Sequence, residues 1–353
     1  MISGFPDTGK IQEDFLKSHV FPSTGAVRQE VVSGPQYGVD VSVIALHGGQ
    51  SLVTATDPAT LIPTLGLQES AWLTVHLVAS DVATAGCLPQ YAQFCLNLPE
   101  TLTAAEFHSY WNHISTYCDQ LGVAITGGHT GRIAGQNSTI SGGVTMMSTM
   151  PSEEVLLSRM ARPGDSLILV KEPAIISTAI LALSFPETVL NKCGKEVLEA
   201  GQALFYESSA VDAAMSAISA GIHSEGVRAI HDITEGGVMG AIWEMMTAAG
   251  CGVQVDVAAI PRGYAQDSIC GAFGIDPFCS VGAGALLLAV APGRAPGIIS
   301  QLHQDGHQAV KIGEVLEEMA GRWLAGEVLS PLTPPGVDPY WGAFLDALNR
   351  GWK

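Results

Sequence analysis

Four aspartates stand where strands end or structural elements meet, the positions at which functional groups collect. Asp40 lies in Gly38-Val39-Asp40-Val41-Ser42-Val43-Ile44, and Asp57 closes the run Leu52 to Thr56 ahead of Pro58. Asp81 falls inside the apolar stretch Ala79-Ser80-Asp81-Val82-Ala83, and Asp232 belongs to His231-Asp232-Ile233-Thr234-Glu235-Gly236-Gly237. Taken singly, Asp40 fits an exposed position, Asp57 a turn, and Asp232 or Thr234 a helix cap. Asp81 is harder to place, because a carboxylate among Leu77, Val78, Val82 and Ala83 needs a partner once buried. If the four converge, each close pair repels by about 4 kcal/mol at an effective dielectric near 20. A divalent cation relieves that, and carboxylate oxygens suit magnesium, which shares its shell with phosphates and water.

Two glycine clusters offer the complement. Thr126-Gly127-Gly128-His129-Thr130-Gly131 reads as a glycine loop after a β-type run, and Glu235-Gly236-Gly237 precedes a helical one. Glycine lets a backbone come close to a phosphate, and a helix N-terminus presents free N–H groups to it. Neither is a Walker loop.

The elements that must position these groups alternate between strand and helix. Asp40 to Leu46 and Ser51 to Thr56 read as strands around a His47-Gly48-Gly49 turn. Glu69 to Gly86 has helical periodicity with Trp72, Val75, Val78 and Val82 on one face. Tyr91 to Leu98 alternates as a strand, and Thr103 to Leu121 is a helix with Thr103 and Glu106 spaced as a capping box. Strands are expected at Val123 to Thr126 and Thr139 to Met150. A turn-rich break at Met160-Ala161-Arg162-Pro163-Gly164-Asp165 precedes a strand at Ser166 to Val170. Beyond it come helices at Ala174 to Leu183, Val197 to Ala220, Val238 to Ala249 and Pro296 to Gln304. Strands at Gly252 to Ala258, Ala285 to Val290 and Val310 to Val315 accompany them. Tyr110, Trp111 and the helix around Trp243-Glu244-Met245-Met246 read as packing groups. Glu314 ends a strand. The pattern predicts α/β (α+β) architecture, with domains at 1–160 and 161–320 and an irregular extension at 321–353.

Composition limits the partners. The 353 residues include 16 basic and 34 acidic ones, for a net charge of −18. That excludes a nucleic-acid backbone and disfavours anionic membranes. The longest apolar run, about 12 residues from Ala174, is too short to span a bilayer, and the first ten residues carry no secretion signal, so a cytoplasmic location is expected. Charged residues are only 14% and mean hydropathy is +0.29, which favours burying surface in a homodimer. Seven cysteines without a C-x-x-C pair read as reduced thiols.

In order and spacing, the sequences around Asp40, Asp57 and Asp81, the Thr126-Gly127-Gly128-His129-Thr130 segment and His231 to Gly237 resemble the AIR-synthase superfamily. The similarity covers about residues 5 to 318. Gly9-Lys10, Met160 to Asp165, Phe273-Gly274-Ile275-Asp276-Pro277 and Ile312-Gly313-Glu314-Val315 are most similar to its HypE branch. The resemblance implies a homodimer whose N-terminal domains pair into a β-barrel-like core, each with a C-terminal α/β sandwich domain. It implies ATP and Mg2+ as cofactors, with Asp40, Asp57, Asp81 and Asp232 holding the metal. Lys10, Gly127, Gly128, Thr130, Thr234, Gly236 and Gly237 would contact the nucleotide, and Asp81, Asp232 and His129 would be catalytic. The implied chemistry transfers the γ-phosphoryl group to an amide-type or other oxygen of a small or protein-borne acceptor. Departures stand beside it: His129 replaces Asp or Glu, Glu235 replaces arginine, and Ala283 replaces glutamate. No cysteine follows Cys279, so thiocyanate formation on this chain's own C-terminus is not expected. These departures leave a second reading open, a nucleotide-binding partner or regulatory protein without turnover.

Overall fold

The computed structural model describes residues 8–135 and 140–353; the reading of the first seven residues and the Thr139 start of a strand lie outside them. Two sheets organise the molecule, a mixed α/β architecture as the sequence predicts. The first contains β1 (Val31–Ser33), β2 (Ser42–Ala45), β3 (Gln50–Pro58), β4 (Tyr91–Leu98), β5 (Ala124–Arg132) and β6 (Ser141–Pro151), in the order β1-β2-β3-β6-β4-β5. Among the described residues of this sheet, only β4 and β5 pair in parallel. The second contains β7 (Ser166–Val170), β8 (Val227–Asp232), β9 (Gly252–Asp256), β10 (Leu286–Val290), β11 (Ala309–Leu316), β12 (Arg322–Ala325) and β13 (Leu329–Pro331). Its order is β13-β12-β9-β11-β7-β10-β8.

Helix α1 (Glu13–Phe15) belongs to the N-terminal arm; α2 (Leu67–Thr84) and α3 (Ala104–Gln120) cover the first sheet. Thr103 and Glu106 form the expected capping box of α3. In the second half come α4 (Ile175–Ser184), α5 (Pro186–Cys193), α6 (Lys195–Ala203), α7 (Val211–Ser219), α8 (Gly237–Ala249), α9 (Tyr264–Phe273), α10 (Ala295–Gln304) and α11 (Pro339–Asn349).

Strands β7 and β10 are buried on both faces, and their side chains alternate between two cores. Ile168, Val170, Leu286 and Leu288 join the core built on α2, while Leu167, Leu169, Leu287 and Ala289 join the core under α8. Because Val75, Val78 and Val82 of α2 share a core with Ile230 of β8, the two sheets are locked together. Asp81 of α2 is thereby carried to the end of β8.

Three expectations change. The expected helix Val197 to Ala220 is broken by a 3-10 turn at Leu204–Ser208, where Phe205 is buried and Trp72 donates to Ser208 Oγ at 3.0 Å. The glycine segment after Thr126 is no loop: β5 continues through Gly127, Gly128, His129, Thr130 and Gly131, paired with β4. A Cβ at Gly128 would lie 1.9 Å from Phe94 O, so glycine there serves strand packing. The tail beyond Arg322 is not irregular. It adds β12 and β13 to the second sheet and packs Tyr340 and Ala347 of α11 into a core.

Candidate functional site

The four aspartates meet. Asp40 arrives on the segment before β2, Asp57 near the end of β3, Asp81 in the last turn of α2, and Asp232 at the end of β8. Each is partly or fully buried. Gly38 allows the first of these approaches: its φ is +75° and a Cβ would sit 2.2 Å from Glu244 O of α8, so only glycine fits.

His231 organises the centre. Its Nδ1 donates to Asp40, 2.8 Å from Oδ1 and 2.9 Å from Oδ2, and its Nε2 donates to Glu244 Oε2 at 3.1 Å. Burial works against charge on the ring, but Asp40 and Glu244 outweigh it and push its pKa up to about 10. A ring placed between two carboxylates serves both only as an imidazolium. Glu244 is held down at about 2: burial opposes the charge, and Lys10 and His231 overcome it.

Lys10 reaches in from the N-terminal arm. Its Nζ donates to Thr234 Oγ1 at 3.1 Å and lies 3.6 Å from Glu244 Oε1, while its backbone N–H donates to Glu235 Oε2 at 2.7 Å. The side chain keeps 52% of its surface exposed. Desolvation acts against its charge, yet Glu244, Asp232, Asp40 and Glu235 hold its pKa above the usual lysine range.

These two cations do not satisfy the cluster. Burial first, and then Asp40, push Asp232 up to about 7. Asp81 is raised well above the carboxylate range by burial and by Asp57, Asp232 and Asp40; Asp57 rises chiefly through burial. Carboxylates held this way invite a proton or a cation. Asp40, His231 and Asp232 each present a ligand atom within 4.8 Å of the others. Both His231 nitrogens are already bonded, which leaves the oxygens of Asp40 and Asp232 as the hard donors of that group; Asp57 and Asp81 lie near enough to act on them electrostatically.

Other expected residues stand differently. Gly127, Gly128, His129 and Thr130 are exposed on β5, the edge strand of the first sheet, and none appears among the contacts of the cluster just described. Gly236 and Gly237 do begin α8, but their N–H groups are taken. Asp338 Oδ2 accepts from Gly236 at 2.7 Å, and Thr234 O accepts from Gly237 at 3.1 Å. The turn needs glycine for another reason: Gly237 has φ +60° and a Cβ would lie 2.6 Å from Phe278 O. Glu314 is exposed on β11 and pairs with Lys311. All seven cysteines are free thiols, and no helix among the described residues is long and apolar enough to cross a membrane.

Sequence reading assigns Trp243 to Met246 to packing and so passes over Glu244. The criterion that singles out Asp81, a carboxylate inside an apolar helix, would have found it. Asp338, in the tail expected to be irregular, caps α11: its Oδ1 accepts from Tyr340 N at 2.8 Å. Its reach to Gly236 is a tertiary fact.

Family models match both halves of the chain: AIR synthase related protein, N-terminal domain, over residues 38–150, and AIR synthase related protein, C-terminal domain, over 162–323. Among curated relatives, carbamoyl dehydratase HypE of Cupriavidus necator is 27% identical over 312 residues, covering 83% of this chain and 85% of that protein. A selenide, water dikinase of Nitratidesulfovibrio vulgaris is 26% identical over 332 residues, covering 85% and 89%. Two solved structures share the fold. HypE in complex with ATP has a TM-score of 0.64 at 19% identity, covering 85% of this chain and 89% of that one. AaThiL complexed with AMPPCP and TMP has a TM-score of 0.65 at 17% identity, covering 83% and 89%.

Proposed function

The chain belongs to the AIR synthase related proteins, and on that premise we propose that it is an enzyme that uses magnesium-ATP to phosphorylate an oxygen of an acceptor. The observation that carries the proposal is the convergence of Asp40, Asp57, Asp81 and Asp232, with Asp81 and Asp232 both held above the normal carboxylate range. Relatives named carbamoyl dehydratase and selenide, water dikinase, and a HypE solved with ATP, support the choice of nucleotide.

Magnesium would be held by the four aspartates, where its charge would offset that of the phosphates. Asp40 would contribute through lone pairs that His231 leaves open. Lys10 and Thr234 lie next to this cluster and would contact the phosphates directly. His231, fixed by Glu244, keeps Asp40 oriented and supplies positive charge without acting as a ligand. Phosphoryl transfer depends mainly on positioning and charge neutralisation, which suits a site with no covalent nucleophile. The acceptor, small or protein-borne, would present an amide-type or similar oxygen.

Gly127, Gly128, His129 and Thr130 would serve the nucleotide only across a homodimer interface. The exposed edge at β5 is the surface such pairing would use.

A second reading, a nucleotide-binding regulatory protein without turnover, is favoured by one observation: the N–H groups of Gly236 and Gly237 are already satisfied within the chain. ATP hydrolysis with magnesium separates the two, measured alone and with a panel of amides, carbamoyl compounds and phosphorylatable vitamins. Turnover that disappears in Asp57→Asn and Asp81→Asn supports the enzyme. Calorimetric binding of Mg-ATP without turnover supports the regulator, and no heat at all would end both.

A further inference from the structure

The opposite end of β8 carries a feature of the other sign. Met160, Arg162, His223, Ser224 and Arg228 line a surface depression of about 230 Å3, in a chain with 16 basic against 34 acidic residues. None of the five is acidic. Arg228 is the second residue of β8, and Asp232 the last, so at about 3.3 Å per residue the two sites stand roughly 13 Å apart. The depression is distinct from the aspartate cluster.

It is also built, where a chance meeting of loose surface chains would not be. Asp165 has 0% exposure and accepts from Arg228 Nη1 at 2.6 Å and from the backbone N–H of Arg162 at 2.8 Å. One buried carboxylate thus fixes both the guanidinium of Arg228 and the turn that carries Arg162. Its charge is used by Arg228. The Arg162 guanidinium meets no acceptor among the described residues, and Arg228 keeps donors that Asp165 does not take. Glu225, the residue after Ser224, is paired with Arg294. His223 holds the rim in the left-handed region at φ 55°, a conformation that costs energy outside glycine and persists only where surroundings impose it. Its Nε2 donates to Glu153 O at 2.6 Å.

We infer that this depression seats a small dianionic oxyanion of the phosphate class. Guanidinium groups match phosphate oxygens through paired N–H donors, and the Ser224 hydroxyl adds a third direction of donation. A tetrahedral phosphate offers more oxygens to these donors than the two of a flat carboxylate. The segment Met160 to Asp165, which the aspartate site leaves unused, thereby acquires a role.

Phosphorus NMR line broadening of the full-length protein tests the inference, with EDTA present and nucleotide absent so that the acidic site is silent. Inorganic phosphate and glycerol 3-phosphate are titrated separately against chloride of matched ionic strength. Saturable broadening is expected with wild type and with Asp57→Asn. It should weaken at least ten-fold in Arg162→Gln, which leaves the Asp165–Arg228 pair and the backbone bond intact, and about three-fold in Ser224→Ala. Tighter binding of glycerol 3-phosphate would identify a phosphate monoester as the occupant, and tighter binding of inorganic phosphate the free ion. Absence of saturable broadening, equal broadening in Arg162→Gln, or citrate competing as well as phosphate would overturn it.

Discussion

Asp232 is buried and Asp81 half-buried, with too few cations around them, and that makes their response to pH unusual. An aspartate whose folded pKa lies above its unfolded value stabilises the fold when protonated. For Asp232, pushed up to about 7, that stabilisation is complete below about pH 4 and is lost as pH rises through 7. His231, raised to about 10, acts in the same direction over a higher window, losing its contribution between about pH 6.5 and 10. Metal-free protein should therefore be less stable at pH 8.5 than at pH 5.5 by an amount on the order of a few kcal/mol, and so melt at a lower temperature. Asp232→Asn should flatten the part of the profile near pH 7, and magnesium should restore stability at pH 8.5; scanning fluorimetry with and without EDTA reads both. In the same metal-free buffer at pH 8.5 Asp81→Asn should raise the melting temperature, because a repelling carboxylate is gone, while its ATP turnover, measured with magnesium, falls at least 100-fold. A variant that loses stability and activity together would point to a structural role. Glu244→Ala should behave differently. It leaves the buried imidazolium of His231 with one carboxylate fewer, a loss of about 3–5 kcal/mol measurable by urea unfolding.

At the scale of elements, the site is made by ends. Strands β3 and β8 and helix α2 each deliver one carboxylate near a terminus, and the turn before α8 delivers Thr234 and Glu235. That turn depends on Gly237, where a side chain would meet Phe278 O at 2.6 Å. Gly237→Ala should therefore cost more than the roughly 1 kcal/mol of an ordinary helix-end change. It should also raise the KM for ATP by moving Thr234. Thr103→Ala, at the cap of α3 and on an element that supplies none of these groups, should cost about 1 kcal/mol and leave KM unchanged. Equal effects of the two on KM would contradict the role given to the turn. The difference between the expected loop at Thr126 to Gly131 and the observed β5 has the same local origin. Glycines permit both a phosphate-binding loop and close strand packing, and the pairing with β4 selects the second.

For the whole molecule, the C-terminal segment is part of the structure that frames the site. Asp338 bonds Gly236, and α11 contributes Tyr340 and Ala347 to the core around α4 and Phe185. Lys192 lies 3.8 Å over the Trp352 ring, which fixes the end of the helix. Removing residues from 333 onward should lower the melting temperature in a single cooperative transition and weaken Mg-ATP binding. Retention of full binding would show that the segment is only an appendage. Sedimentation equilibrium tests the proposed homodimer; a monomer at micromolar concentration would leave Gly127, Gly128, His129 and Thr130 without a nucleotide to contact.

The sequence by itself determined the α/β alternation, the capped α3, the buried face of α2 and the candidacy of the four aspartates. Each is written in local periodicity, or in a charge that its neighbours cannot tolerate. Tertiary structure alone decided that His231 clamps Asp40 against Glu244, that Asp338 occupies the Gly236 N–H, and that the glycine segment joins a sheet. Those outcomes depend on partners between 13 and 191 residues away. Hydrogen-bond partners at such separations are chosen by how the sheets pack and leave no periodic mark in the chain.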